Sequence, residues 1–145
     1  MSNIISNIKQ ITKDFIAKAP ERLKTKQALE SSQNEELRKL VSDAKKNLGT
    51  LIIEEVKSAL ERGYIHHDLD IRILELPAHV AKSEFDSHKK REKDFAYNPI
   101  LQELVTFIKS EGLGVKVYAS DGYHRPVDQE PWGHIEAVVP KNLLQ

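Results

Sequence analysis

The hydrophobic period changes once along this chain, near residue 64, and this change limits the folds that the chain can adopt. Before it, apolar residues recur at the three- and four-residue spacing of amphipathic helices. After it, short segments alternate apolar and polar residues, as half-buried strands do. The sequence therefore predicts an α+β fold in a single domain over residues 1–145, with a helical region over 1–63 and a mixed region over 64–145.

Three helices are predicted in the helical region. The first covers residues 3–19, and Pro20 stands where proline is tolerated, in the first turn of a short second helix. Polar residues at 31–34 break the pattern, and a long third helix follows, ending near Gly63. The first helix has an apolar stripe suited to packing against other helices or a neighbouring subunit. The stripe consists of Ile4, Ile8, Ile11 and Phe15.

The mixed region predicts a small three-stranded sheet. The strands are expected over 68–76, 115–119 and 135–139. A helix from Asn98 to about Glu111 forms a helical crossover between the first two strands, because Asn-Pro is a favourable helix start. The last two strands follow one another closely, which favours a C-terminal antiparallel hairpin.

Composition excludes several classes of protein. The chain has no cysteine, so thiolate metal sites and cysteine nucleophiles are excluded. Its formal net charge is zero, which does not favour nucleic-acid binding, since that affinity depends on basic excess. No segment reaches the roughly 20 apolar residues of a membrane span, and no secretory signal is recognisable. The sequence therefore predicts a cytoplasmic protein.

Histidines are the one unusual feature that could support chemistry. If the first two strands are parallel, three histidines and a carboxylate lie at one end of the sheet and form a candidate zinc site. These residues are His79, Asp121, His124 and His134. If the strands are antiparallel, His66 and His67 replace His79 at that end of the sheet. Exposed loop histidines without a special role are the simpler interpretation, because spacing alone does not define ligand geometry.

His134 and Glu136 form a second candidate pair. Two residues apart on a strand, they share a face, opposite the apolar face of Ile135. They are the candidate general base and its carboxylate partner in a small hydrolase. Trp132, beside them, can act as an anchor for a partner or as a cap on the core at the mouth of the hairpin.

The C-terminal connection carries two short resemblances. The stretches 121–126 and 131–136 resemble segments of cell-wall zinc peptidases of the carboxypeptidase type. The run 133–139 is similar to the histidine-bearing strand of cysteine, histidine-dependent amidohydrolases. The first family's metal-binding His and Asp segment has no counterpart here, and the second family's cysteine is absent. Only His134 is carried over as a residue to test.

Two functions are compatible with these features. The first is a non-catalytic structural or interaction protein that self-associates through its N-terminal helices. A component of a larger assembly, such as a viral particle or a secretion apparatus, would fit. The second is a small metal-dependent hydrolase or metal-binding protein centred on His124 and His134, with zinc as its metal.

Overall fold

The computed structural model describes residues 2–64, 66–88, 92–122 and 130–145. The helices are α1 (Ser2–Ala17), α2 (Ala19–Glu61), α3 (Ala78–Ser87) and α4 (Pro99–Ser110), and a short 3-10 helix covers Lys141–Leu143. The strands are β1 (Leu69–Glu75), β2 (Glu92–Lys93), β3 (Gly114–Ser120) and β4 (Trp132–Val139). The structure thus confirms a mixture of helix and sheet.

The chain divides into two compact units, Met1–Glu36 and Leu37–Gln145. The division falls inside α2, because α2 contributes to the core of the second unit from Leu37 onward. The first unit contains α1 and the N-terminal part of α2. The second unit contains the rest of α2, the other helices and the whole sheet. The prediction of a single domain stays a prediction.

The helical region differs from the prediction of three helices in one respect. The second and third predicted helices are one continuous helix, α2, which passes through Ser31–Asn34 without a break. The reason is that Ser, Gln and Asn each lower helix propensity by only about 0.7 kcal/mol or less relative to alanine, and this segment contains neither proline nor glycine. Pro20 lies in the first turn of α2, as predicted.

The sheet has the strand order β1-β4-β3-β2, and every neighbouring pair is antiparallel. The three predicted strands correspond to β1, β3 and β4, and the two-residue β2 extends the sheet beside β3. Because β4 lies between β1 and β3 and is antiparallel to both, β1 and β3 run in the same direction. The C-terminal ends of β1 and β3 therefore lie beside the beginning of β4 at one end of the sheet, where Glu75 and Tyr118 both pair with His134.

Helices cover one face of the sheet. Residues of α2, α3 and α4 pack with inward-facing strand residues in one hydrophobic cluster. Its fully buried members include Leu101, Leu104, Val105, Ile108, Ile135 and Ala137. α4 begins as the sequence predicts, since the Asn98 side chain accepts a hydrogen bond from the Ile100 N–H at 2.9 Å and proline occupies the first turn.

The opposite face of the sheet is polar and aromatic. Residues directly paired across antiparallel strands share a face, and the pairing places eight such side chains together. They are Asp70, Arg72 and Glu75 of β1, Lys116 and Tyr118 of β3, and Trp132, His134 and Glu136 of β4. Lys116 lies 3.2 Å from the Asp70 carboxylate, and Arg72 lies 3.2 Å from Glu75.

Candidate functional site

α1 presents the largest set of exposed apolar side chains in the part of the chain that the structure describes. The predicted stripe is exposed along its whole length, with between 58 and 68% of each side chain accessible: Ile4, Ile8, Ile11 and Phe15. Ile5, beside the stripe, is exposed as well and widens the apolar surface, and Ile16 is also exposed. Contiguous apolar surface of this kind on a globular protein usually marks an interaction site.

The spacing of the α1 stripe is that of a coiled-coil seam. Ile4, Ile8, Ile11 and Phe15 are separated by four, three and four residues, which is the alternation of the two core positions of a heptad. Lys9 and Lys13 lie on the polar side of the helix and are exposed. The side chains that the structure describes within residues 3–36 are exposed or, for Gln33, half-buried. This unit therefore contributes no buried apolar core from its described side chains.

The strand directions decide between the two arrangements proposed for the histidines. β1 and β3 run in the same direction, so His79, which follows β1 in the sequence, comes after the end of the sheet at which Asp121 and His134 lie. His66 and His67 precede β1 at the other end of the sheet, and both are exposed. The strand directions therefore correspond to the first of the two arrangements, in which the first two predicted strands are parallel.

Although the candidate ligands lie toward one end of the sheet, they do not form a metal centre among the described residues. His79 is the second residue of α3 and is exposed, whereas Asp121 is half-buried after β3. Within 2–64, 66–88, 92–122 and 130–145, no three His, Asp or Glu side chains converge closely enough to hold a metal ion. His124 lies outside the described residues, so the full predicted ligand set stays a prediction.

His134 and Glu136 are brought together as the strand period predicts. Nε2 of His134 lies 3.0 Å from Oε2 of Glu136, and only about a tenth of the His134 side chain is accessible. The Tyr118 ring lies 4.8 Å from the imidazole, centroid to centroid. A carboxylate paired with an imidazole fixes the ring orientation, which is a requirement of general-base chemistry and equally of a structural pair.

Trp132 is the first residue of β4 and is half-buried. Its ring stacks on His134 with 6.2 Å between centroids and an interplanar angle of 22°. A groove of about 510 Å³ beside it is lined by Arg72, Glu75 and His134 among others. Trp132 thus lies on the polar face of the sheet and outside the two buried hydrophobic clusters.

α3 carries a buried polar pair that was not predicted from the sequence. Glu84 has only 1% of its surface accessible, and Nε2 of His88, one turn later, lies within hydrogen-bonding distance of Oε2 of Glu84, at 2.9 Å. The same carboxylate accepts backbone N–H hydrogen bonds from Tyr97 at 3.0 Å and from Asn98 at 2.6 Å. A buried carboxylate is tolerated only with such partners, because its lone pairs lose water on burial.

This pair connects α3 to the start of α4. By holding the N–H groups of Tyr97 and Asn98, Glu84 fixes the residue that caps α4. The His88 ring also packs against Tyr97, with 4.5 Å between centroids, and against Phe95. The sequence signal was the four-residue spacing of Glu84 and His88, which places both on one helix face. Glutamate is rarely buried, so this spacing alone indicates an exposed pair.

The comparisons supply no relative for this chain: no protein-family model, no curated protein and no solved structure matches it. Among the described helices, none combines the length and the apolar character that crossing a bilayer requires. Functional inference therefore depends on the residues themselves.

Proposed function

We propose that this chain is a non-catalytic interaction protein in which α1 joins copies of the chain, as a component of a larger assembly. The observation that carries the proposal is the exposed stripe of α1, whose seam positions are each at least 58% accessible. The occupant of the stripe is α1 of a second copy, because a heptad seam is complementary to itself.

The residue types in the stripe favour more than two helices. Isoleucine occupies three of the four seam positions, Ile4, Ile8 and Ile11, which therefore include both core positions of the heptad. Isoleucine at both positions shifts coiled coils from dimers toward trimers and tetramers. Ile5, beside the seam, extends the apolar surface beyond a two-helix seam, which also suits a bundle.

The energetics predict weak association by α1 alone. Full burial of one large aliphatic side chain contributes roughly 1.5–3 kcal/mol, so four seam positions contribute roughly 6–12 kcal/mol. The loss of translational and rotational freedom costs roughly 4–15 kcal/mol, which is of similar size. A helix of two heptads is also only marginally stable by itself. Association should therefore depend on protein concentration and strengthen when many copies assemble.

Sedimentation equilibrium of the full chain tests this proposal. Wild type should form trimers or tetramers as concentration rises, and the double variant Ile8→Ser/Ile11→Ser should remain monomeric. The matched control is Lys9→Ser/Lys13→Ser, on the polar side of the same helix, which should associate as wild type does. Urea unfolding of each variant checks that the Leu37–Gln145 unit is intact.

Two outcomes contradict the proposal. One is a wild-type chain that stays monomeric at all concentrations. The other is equal association of the two double variants. A lipid surface is the rival occupant of an amphipathic helix with lysines on its polar face. Binding of a monomeric chain to vesicles of anionic lipid, lost in Ile8→Ser/Ile11→Ser, would replace the second copy by a membrane.

The hydrolase alternative has one supporting observation, the 3.0 Å contact between His134 and Glu136. Native mass spectrometry of the untagged protein with added zinc tests it directly. One zinc ion retained per chain in wild type and lost in His134→Ala would favour the alternative. Under our proposal the zinc content of the two proteins is the same, and His134→Ala associates as wild type does.

A further inference from the structure

β1 is an edge strand of the described sheet. It is the first strand in the order β1-β4-β3-β2, so only one of its two sides pairs with a neighbour. The Leu76 N–H, directly after β1, donates to the Gly133 carbonyl at 2.9 Å. Backbone groups alternate in direction along a strand, so those of the preceding residue, Glu75, point away from β4. Such an edge is a template for a further strand.

A groove of about 500 Å³ lies between β1 and α2, within the Leu37–Gln145 unit. Ile73 and Leu74 form its wall on β1, and no described residue of β4 lines it. Leu40 and Leu51 of α2 give it apolar surface. The groove therefore opens beside the free edge of the sheet, where the alternate side chains of an added strand would enter it.

The rim of the groove is acidic. Asp43 and Glu54 of α2 line it, and neither forms an ion pair with another residue of the described chain. Asn47 and Thr50 supply further polar groups at the same rim. A segment with a basic side chain beside its apolar residues would complement this rim by charge, which favours specificity and rapid association.

We infer that the edge of β1 and the groove beside α2 bind an extended segment of another protein, which adds to the sheet as a short strand. The segment alternates apolar and polar residues and carries at least one lysine or arginine. Its main chain pairs with the free edge of β1, and its apolar side chains enter the groove between Ile73 and Leu51. The residues that line the groove belong to the Leu37–Gln145 unit, and none of them is a residue of the α1 seam.

The irregularity of β1 limits the length of the segment. A β-bulge interrupts the register between Arg72 and Leu74, and bulges terminate regular pairing at sheet edges. Charged side chains at Asp70 and Glu75 also oppose long, flat pairing with a second sheet. A short segment is compatible with both features, because it needs only part of the edge.

Selection from a display library of random seven-residue peptides tests the inference on the full chain. The target carries Ile8→Ser/Ile11→Ser, so that association through α1 does not interfere. Enriched peptides should alternate apolar and polar residues and include a basic one. Thr50→Arg, which places bulk and positive charge at the rim, should lower the affinity for a synthetic enriched peptide by about tenfold or more. Ser42→Arg, on the same helix outside the groove, should change the affinity less than about twofold.

Backbone methylation of the enriched peptide distinguishes strand addition from apolar contact alone. N-methylation of the alternate residues whose N–H faces β1 should abolish binding, and N-methylation of the intervening residues should preserve it. Three results overturn the inference: no enrichment, equal binding to Thr50→Arg and wild type, or equal effects of the two methylation patterns. Self-association that persists in the target and is lost in Thr50→Arg would assign the edge to a second copy and also overturn it.

Discussion

α1 and the C-terminal part of α2 have the same apolar spacing and opposite environments. Leu37, Val41 and Leu48 of α2 are at most 3% accessible, whereas Ile8 and Ile11 of α1 are 58% and 68% accessible. In α2 the stripe meets α4 and the sheet, which complete a core. The comparison teaches that apolar periodicity identifies the face of a helix that needs cover, and that other elements decide what covers it.

The largest effect separates the two regions by stability. Leu104→Ala removes a side chain with no accessible surface and should lower the free energy of unfolding by about 2–5 kcal/mol, since it leaves a cavity. Ile8→Ala should change it by less than about 0.5 kcal/mol in the dissociated chain. Urea unfolding at low protein concentration measures both. Similar losses for the two variants would mean that α1 is packed within a single chain.

The second effect concerns the buried carboxylate of the packed unit. Glu84→Ala leaves the N–H groups of Tyr97 and Asn98 without their acceptor and should cost about 3 kcal/mol, because each unsatisfied buried donor costs roughly 1–3 kcal/mol. Asp86→Ala, on the same helix, removes an exposed ion pair with Lys82 and should cost less than about 1 kcal/mol. Thermal unfolding of the two variants compares them, and an equal cost would remove the connecting role of Glu84.

The third effect is the change in stability when a glycine is replaced by alanine, and it should have opposite signs at two positions. A Cβ at Gly133 would lie 2.5 Å from the Tyr118 carbonyl oxygen, so Gly133→Ala should destabilise the sheet by about 1–3 kcal/mol. A Cβ at Gly49, inside α2, meets nothing within 4 Å, so Gly49→Ala should stabilise by about 0.5–1 kcal/mol. Urea midpoints of both variants give the signs. Destabilisation by Gly49→Ala would show that this face of α2 is constrained by packing.

Sequence patterns were sufficient to predict the features that depend on interactions between residues near one another in the chain. The period-two alternation placed His134 and Glu136 on one face, and Asn98 with Pro99 began α4 as expected. The directions of β1 and β3 were left open, because the insertion of β4 between them depends on long-range pairing that no local pattern encodes. The role of Glu84 was missed for the same reason, since two of its partners lie 13 and 14 residues away.

The continuity of α2 is a different kind of discrepancy. Ser31, Ser32 and Asn34 are less favourable in a helix than alanine, and the polar run 31–34 interrupts the apolar spacing, so the local pattern favoured a break there. Their combined cost is small, and the helix on either side propagates through them, because adding a residue to an existing helix is far easier than nucleating a new one. Proline or glycine at this point would have favoured a break, and the segment contains neither.

Hydrogen exchange of the amides of α1, followed over a range of protein concentrations, tests the central comparison most directly. We expect residues 2–17 to be weakly protected in dilute protein and to become protected as concentration rises, because other copies of the chain cover α1. The amides of α4 and β4 should be protected equally at every concentration. Protection of α1 that is already complete in dilute protein, or that never rises with concentration, would contradict the account.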